Sequence, residues 1–411
     1  MRAAVSAVAT IAFAFVVAPP AAWPDWSAAL GVASGAARAA IPTATTLRCP
    51  EGASLVGAPP PKGRQLACAF LDAGGKYIFD GPIQEWHPNG HLKLAGTFEA
   101  GLRTGEWLEY DEAGVLVIES NFKRGKLDGP YAMVGADGER LEGSFKNDQR
   151  EGLWRAYSRA GQRTAEGTYR ANRKSGRWTL WLDDGSTARG EYVADARRGH
   201  WVFSWPDGQL RAEGAFDGER RSGVWSDYDE RGVLRARGPY AGGVRAGAWI
   251  FFAATGAKEA SGTMRGDRRE GAWVDWQADG TRWEGAYRAD QREGLWTAFH
   301  PNGKPSAQGP MVLGKMHGAW KLTGPDGKVT AKGAYEQGER SGAWVEWTAT
   351  GRVEGSYDRD QREGLWTVYD ATGKPTGHAM FEHGTQLPGA AVGAVPRATA
   401  GATPAAPPTQ P

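Results

Sequence analysis

Cysteine and histidine are scarce in this chain, two and seven residues in 411, and neither is arranged for chemistry. The histidines do not cluster, and there is no Cys-x-x-Cys, G-x-S-x-G, His-Glu-x-x-His, P-loop, or G-x-G-x-x-G behind a strand. A thiolate nucleophile needs a neighbouring His, and neither Cys49 nor Cys68 has one in sequence. The chain is therefore expected to be no enzyme and to use no cofactor or metal. Charge of one sign is lacking too: 49 Lys and Arg stand against 47 Asp and Glu. No global field holds nucleic acid, so no nucleic-acid partner is expected.

The one leader-like apolar stretch, Ala3 to Ala18 behind Arg2, is Ala-rich and spans a bilayer poorly. It reads as the n- and h-regions of a secretory signal peptide within residues 1–40, with cleavage after Ala22 or near Ala37 to Ala39. The alternative is an Ala-rich leader without a targeting role. Export to the periplasm, cell envelope or medium would suit the two cysteines, which both follow the leader. A Cys49–Cys68 disulfide closes a loop of about 20 residues and contributes roughly 3 kcal/mol. No lipobox precedes Cys49, where Thr46, Leu47 and Arg48 stand. Residues 41–80, with this pair and Pro59 to Pro61, are expected to form a stapled cap. Residues 385–411, made of Ala, Pro, Gly and Thr, are expected to be a disordered tail.

Glycine and tryptophan are abundant, 59 and 19 residues, and they are periodic. Glycines at 81, 105, 129, 152, 176, 199, 223, 247, 271, 294, 318, 342 and 364 mark thirteen units of 22 to 24 residues, an array over residues 81–384. Two residues after that glycine stands Trp in eleven units: Trp107, Trp154, Trp178, Trp201, Trp225, Trp249, Trp273, Trp296, Trp320, Trp344 and Trp366, with Ile83 and Tyr131 the exceptions. A second aromatic follows at the fifth position in ten units. At the ninth comes another glycine, as in Asn89-Gly90, Asp184-Gly185 and Asp326-Gly327, the chemistry of a tight hairpin tip. An outgoing arm begins with a further glycine, such as Gly96, Gly143, Gly167 or Gly355, and an aromatic usually stands two residues on, as in Phe98, Tyr169, Tyr240 and Tyr357.

Each unit thus supplies two short strands, and the fold class is all-β: an elongated array of stacked antiparallel hairpins. The outgoing glycine (Ser120 in one unit) lies nine residues before the next unit's first glycine in all twelve cases, whereas the tip side varies between four and six. Fixed register at the stacking junction and a bulge absorbed at the free tip account for this. The second- and fifth-position aromatics break period two, which predicts a bulge or sharp twist in that arm. One hairpin buries too little to fold alone, so the tryptophans are expected to stack as a structural ladder, with glycine where a ring lies against bare backbone. At two strands per unit the array predicts a rod on the order of 120 Å.

Two features suggest binding. A basic residue stands two places before the first glycine in ten units: Arg103, Arg150, Lys174, Arg197, Arg221, Arg245, Arg269, Arg292, Arg340 and Arg362. In register these line one edge as a candidate anion-binding ladder for an anionic lipid or polymer surface. Alternatively their stems cover neighbouring rings, with Glu151, Glu293 and Glu363 neutralising the heads. Trp205 and Trp283, outside the regular slots, are the candidate exposed rings for stacking on cell-wall glycan. His87 and His300 share the slot His-Pro-Asn-Gly, which suits a turn role.

The unit G-x-W-x-x-[YW]-x-D-G followed by G-x-Y and R-x-G resembles the MORN-repeat variant of bacterial proteins, over about 300 residues. Members of that family include YwqK-type antitoxins, and eukaryotic MORN proteins are associated with phospholipids, oligomerisation and scaffolding. The resemblance implies a binding or scaffold protein with a protein partner. An antitoxin-like immunity protein and a cell-wall glycan-binding repeat are the alternatives.

Overall fold

A computed structural model describes residues 47–388. The leader read over residues 1–40 lies outside the described residues, as does the tail from residue 389. Among the described residues there are thirty strands and no helix, and each strand pairs antiparallel. The chain divides into two units, residues 1–164 and 165–411.

In the first unit the segment read as a cap is itself sheet. Strand β1 (Ser54–Ala58) pairs with β2 (Gln65–Leu71), and β2 pairs with β3 (Tyr77–Trp86), the first strand of the repeats. Cys49 and Cys68 form a disulfide with Cα atoms 5.3 Å apart, and Cys68 is fully buried. In the second unit the last repeat strand, β29 (Pro375–Glu382), pairs with Thr385–Gln386. Two residues assigned to the tail therefore belong to the sheet.

Each repeat has two hairpin turns. The tip turn is the one marked by the ninth-position glycine: Gly90 N–H donates to the His87 carbonyl at 2.9 Å, and His87 N–H to that of His91 at 2.8 Å. The second turn lies inside the nine-residue junction and takes two residues, such as Ala100-Gly101, Asn147-Asp148, Ala289-Asp290 and Arg359-Asp360, both with positive φ. That is the type I′ geometry that matches strand twist. The junction is constant in length because it is a hairpin of fixed loop size, and only Gly-, Asn- and Asp-rich pairs hint at it.

The bulges explain the remaining irregularities. On the junction side the register shifts beside the first glycine: Thr168 pairs with Ser175 but Gly167 with Trp178, leaving Gly176 and Arg177 out of the ladder, and Gly176 has φ 69°. The bulge thus precedes the tryptophan. From it the strand runs regularly, so Trp178 and Trp181 of one strand (Arg173–Trp181) point to opposite faces. The fifth-position aromatics form a second row on the outer face and do not join the tryptophan ladder. On the tip side, units with six residues between tip glycine and outgoing position carry a register shift at the fifth position, as at Phe203/Ser204 and Ala298/Phe299. Units with five or four, at Trp181, Trp276 and Trp347, carry none.

Candidate functional site: the two faces of the repeat

The inner face is a zipper. All eleven slot tryptophans are buried. Each lies on the outgoing glycine of the preceding repeat so closely that a Cβ there would fall inside the indole, from Gly96 under Trp107 to Gly355 under Trp366. Ten of the indoles donate Nε1–H to the carbonyl ten residues earlier, for example Trp225 to Ala215 at 2.9 Å and Trp344 to Ala334 at 3.0 Å. Trp107 donates to Thr104 instead, at 3.2 Å. Edge-to-face partners continue the zipper: Tyr192 on Trp201 at 5.3 Å and 89°, Tyr357 on Trp366 at 5.0 Å and 79°. Such pairs are each worth about 0.5–1.5 kcal/mol beyond area burial.

The ten basic residues lie over these rings. Arg103 covers Trp107 and Phe122, Arg150 covers Trp154, and Lys174 covers Trp178 and Tyr192. Arg197 covers Trp201 and Phe216, Arg221 covers Trp225 and Tyr240, and Arg245 covers Trp249 and Phe251. Arg269 and Arg292 share Tyr287, Arg340 lies 4.0 Å from the centre of Tyr357, and Arg362 lies 4.2 Å from that of Trp366. This is the covering geometry, worth about 0.5–2 kcal/mol per contact.

Their carboxylate partners differ from those expected. Glu293 accepts the Leu313 amide and Glu363 that of His383, each in the next I′ turn. Arg197 meets Glu219 at 2.8 Å and Arg340 meets Asp360 at 2.9 Å, both acids of a following turn, and acids at the fourth position serve Arg221, Arg269, Arg292, Arg340 and Arg362. Asp275, buried, accepts from Arg292 Nη2 and the Tyr287 hydroxyl, both at 2.8 Å, and from Arg269 Nη1 at 3.4 Å. Glu346, buried, accepts from Tyr357 at 2.7 Å and Arg362 at 3.1 Å, with Arg340 Nη1 at 3.8 Å. Asp227 faces Arg221 at 3.6 Å. Burial raises the Asp227 carboxyl above the usual carboxylate range against the pull of Arg221 and Arg245. Burial also pushes the phenols of Tyr287, Tyr335 and Tyr357 up to about 12, and the Asp275 and Glu346 carboxylates add to this at Tyr287 and Tyr357.

Turn residues brace neighbouring repeats. Asp290 accepts the Arg269 amide at 2.7 Å and donates its own N–H to the Arg269 carbonyl at 3.1 Å. Asp360 does the same at Arg340. His87 Nε2 meets the Tyr110 carbonyl and His300 Nε2 that of Thr323, each at 2.8 Å, so both histidines hold tips together.

The outer face carries what the stack does not use. Leu153, Val224, Leu295 and Leu365, each just after a first glycine, are 46 to 63% exposed. The fifth-position aromatics lie beside them, half-buried or, for Trp347, exposed. A depression of about 290 Å³ in the first unit is lined by Glu119, Pro130, Glu142, Leu153 and Arg155 among others. Trp283 is not on this surface: it is 1% exposed and packs near Trp320, with ring centres 6.3 Å apart. Its position four residues before the inward Tyr287, in a hairpin without a tip bulge, turns it inward. Trp205 is half-buried beneath Arg211, at 4.5 Å. Among the described residues no group of three or more His, Cys, Asp or Glu is placed to hold a metal ion.

The family model of the MORN repeat variant matches residues 103–124 and 292–312. Both stretches begin at a basic residue of the inner face and run through the outgoing strand. No curated protein matches this chain. Among solved structures, "Crystal Structure of TcdB2-TccC3-Cdc42" is similar at 9% identity and TM-score 0.15, covering 78% of this chain and 22% of that one. "Crystal Structure of TcdB2-TccC3 without hypervariable C-terminal region" is similar at 11% identity and TM-score 0.16, covering 79% and 19%. The chain spans about a fifth of the length of those chains, and likeness at that level carries no argument here. Two of the repeats are thus similar to the MORN repeat variant, and the remaining units share their spacing.

Proposed function

We propose that this protein is an exported, non-enzymatic binding or scaffold protein that meets a protein partner through the outer face of its repeats. One observation carries the reading. The string Asp-Gln-Arg-Glu-Gly-Leu-Trp occurs at 148–154, 290–296 and 360–366, and the structure gives nearly every residue in it a task. The Asp braces the preceding repeat, the Arg covers rings, the Glu caps the next turn, the Gly makes the bulge and the Trp fills the core. The Leu takes no part: Leu153, Leu295 and Leu365 are 46, 63 and 54% exposed. An aliphatic side chain repeated outward without a packing role suits a protein interface.

The disulfide supports an oxidising compartment. The engaged state of the ten inner-face cations weighs toward a protein partner over an anionic lipid or polymer. The test is affinity capture from the native envelope fraction with the intact chain and with Leu295→Glu/Leu365→Glu. Both sites are exposed, so thermal stability should be unchanged and the partner should be lost. Equal capture by both chains, or an unprocessed chain found in the cytoplasm, would remove this reading.

A further inference from the structure

The tip bulge decides which residue faces outward between two fifth-position side chains. In bulged hairpins the residue opposite is mostly aliphatic or proline, as with Leu234 against Tyr228 and Pro305 against Phe299. In two unbulged hairpins of the second unit it is arginine. Strand β19 (Arg268–Trp276) pairs Trp276 with Arg282 of β20 (Arg282–Arg288), and Arg282 pairs onward with Phe299 of β21 (Gln291–Phe299). Strand β26 (Glu339–Thr348) pairs Trp347 with Arg352 of β27 (Gly351–Asp358), which pairs onward with Tyr369 of β28 (Gln361–Asp370).

The two modules agree in detail. The guanidinium lies over the second ring, Arg282 at 4.0 Å from the centre of Phe299 and Arg352 at 4.4 Å from that of Tyr369. Its Nε donates to a glutamate two residues on, Glu284 at 2.7 Å or Glu354 at 2.6 Å. That leaves the Nη edge of the fork open. A lysine stands over the tryptophan from the preceding strand, Lys258 over Trp276 at 5.7 Å and Lys332 over Trp347 at 5.5 Å. The side chains of Arg282 and Arg352 are 29% and 33% exposed, and Glu284 and Glu354 are 40% and 37% exposed.

We infer that these modules are a pair of sites for an extended, uncharged, β-linked glycan. The proposal rests on the outer face being the working face, as above, but names a different ligand and different residues. Three features select this ligand. The rings of a module stand two strands apart, about 9.6 Å, which is roughly the length of two sugar rings in an extended chain. Each arginine charge is balanced by its own glutamate, so that of the three charged side chains named in each module only the lysine adds a net charge, which is little to hold a phosphate-rich polymer or anionic lipid. A planar arginine–glutamate pair set between aromatic platforms offers both donors and acceptors, the complement of sugar hydroxyls flanked by apolar sugar faces. The rings concerned are those of the fifth-position row, and Trp205 and Trp283 have no part in it.

The test is co-sedimentation of the intact chain with insoluble β-1,4-glucan and with chitin, at low and at 1 M salt, with heparin and single-stranded DNA as soluble competitors. Retention on at least one glycan is expected to survive high salt and both competitors. Trp276→Ala or Trp347→Ala alone should weaken it about a hundredfold, because two linked sites act by avidity, and the pair together should abolish it. Arg282→Gln/Arg352→Gln leaves the rings in place and should also reduce retention, which keeps the test decisive if the tryptophan variants fold poorly. No retention on either glycan, retention unchanged in the arginine variant, or binding abolished by salt or heparin would overturn the proposal. Leu295→Glu/Leu365→Glu should bind glycan normally while losing its protein partner, so the two readings fail separately.

Discussion

Ser120 stands opposite Tyr131 between the strands Leu116–Lys123 and Lys126–Val134, at the register position where every slot tryptophan faces a glycine. Of the exceptions to the pattern, Ser120 and Tyr131 are therefore one exception. An indole needs bare backbone beneath it, and a serine Cβ is accommodated only because the ring above it is smaller. Tyr131→Trp alone should therefore force the ring against Ser120, which is 2% exposed, and destabilise by about 1–3 kcal/mol. Adding Ser120→Gly should restore the regular rung and recover most of that loss. Urea unfolding of the four chains closes the double-mutant cycle, and simple additivity would refute the coupling.

This pairing was legible in the sequence as the recurrence of glycine eleven residues before each tryptophan, and so were the hairpins, the ladder and the tip-side bulges. Three things were hidden. The I′ turns at the junctions are written in pairs as unlike as Ala-Asn, Arg-Asp and Leu-Gly, because backbone geometry asks only for tolerance of positive φ. The face of the fifth-position aromatics depends on where the bulge falls relative to Trp, and periodicity alone does not fix that. The partners of the basic ladder were sought next to it in sequence, at Glu293 and Glu363, whereas Asp275 and Glu346 each lie six residues on from one arginine in its own strand and two strands back from the next. A signal for them existed, an acid at the fourth position of units otherwise apolar there.

Asp275 holds Arg269, Arg292 and Tyr287 within a buried cluster. Asp275→Asn removes the balancing charge while keeping the shape, and should destabilise the second unit by roughly 3–5 kcal/mol. Replacing all three charged residues, Arg269→Met/Asp275→Leu/Arg292→Met, removes the unbalanced charge and should restore much of the stability. Chemical denaturation with equal slopes would test this, and a triple variant worse than the single would contradict it.

Alkaline pH supplies a test with a defined direction. Tyr287, Tyr335 and Tyr357 have their phenols pushed up to about 12, chiefly by burial, against about 10 in an unfolded chain. Between those values the folded state holds protons that the unfolded state releases, so this contribution is present below pH 10 and is lost as pH rises toward 12. Stability should fall across that window, and absorbance titration should show a late class of phenols whose ionisation coincides with unfolding. Titration of all tyrosines near pH 10 in a chain that stays folded would contradict the packing described for the inner face.

In an array stabilised by nearest neighbours, damage at one end should stay there. The Cys49–Cys68 bridge, with 19 residues of separation, ties the chain entering β1 to the buried middle of β2, and its loss removes roughly 3 kcal/mol of loop-closure stabilisation. Reduction, or Cys49→Ser/Cys68→Ser, should accelerate amide exchange in Ser54–Ala58 and Gln65–Leu71. Strands far along the second unit, such as Gln291–Phe299 and Gln361–Asp370, should exchange as before. Each inner-face rung is held by rings, an arginine and a braced turn from its immediate neighbours, and the bridge touches none of them beyond the first hairpins. Faster exchange spread evenly along the chain would mean that the rungs unfold as a single cooperative body, which local stacking of this kind does not predict.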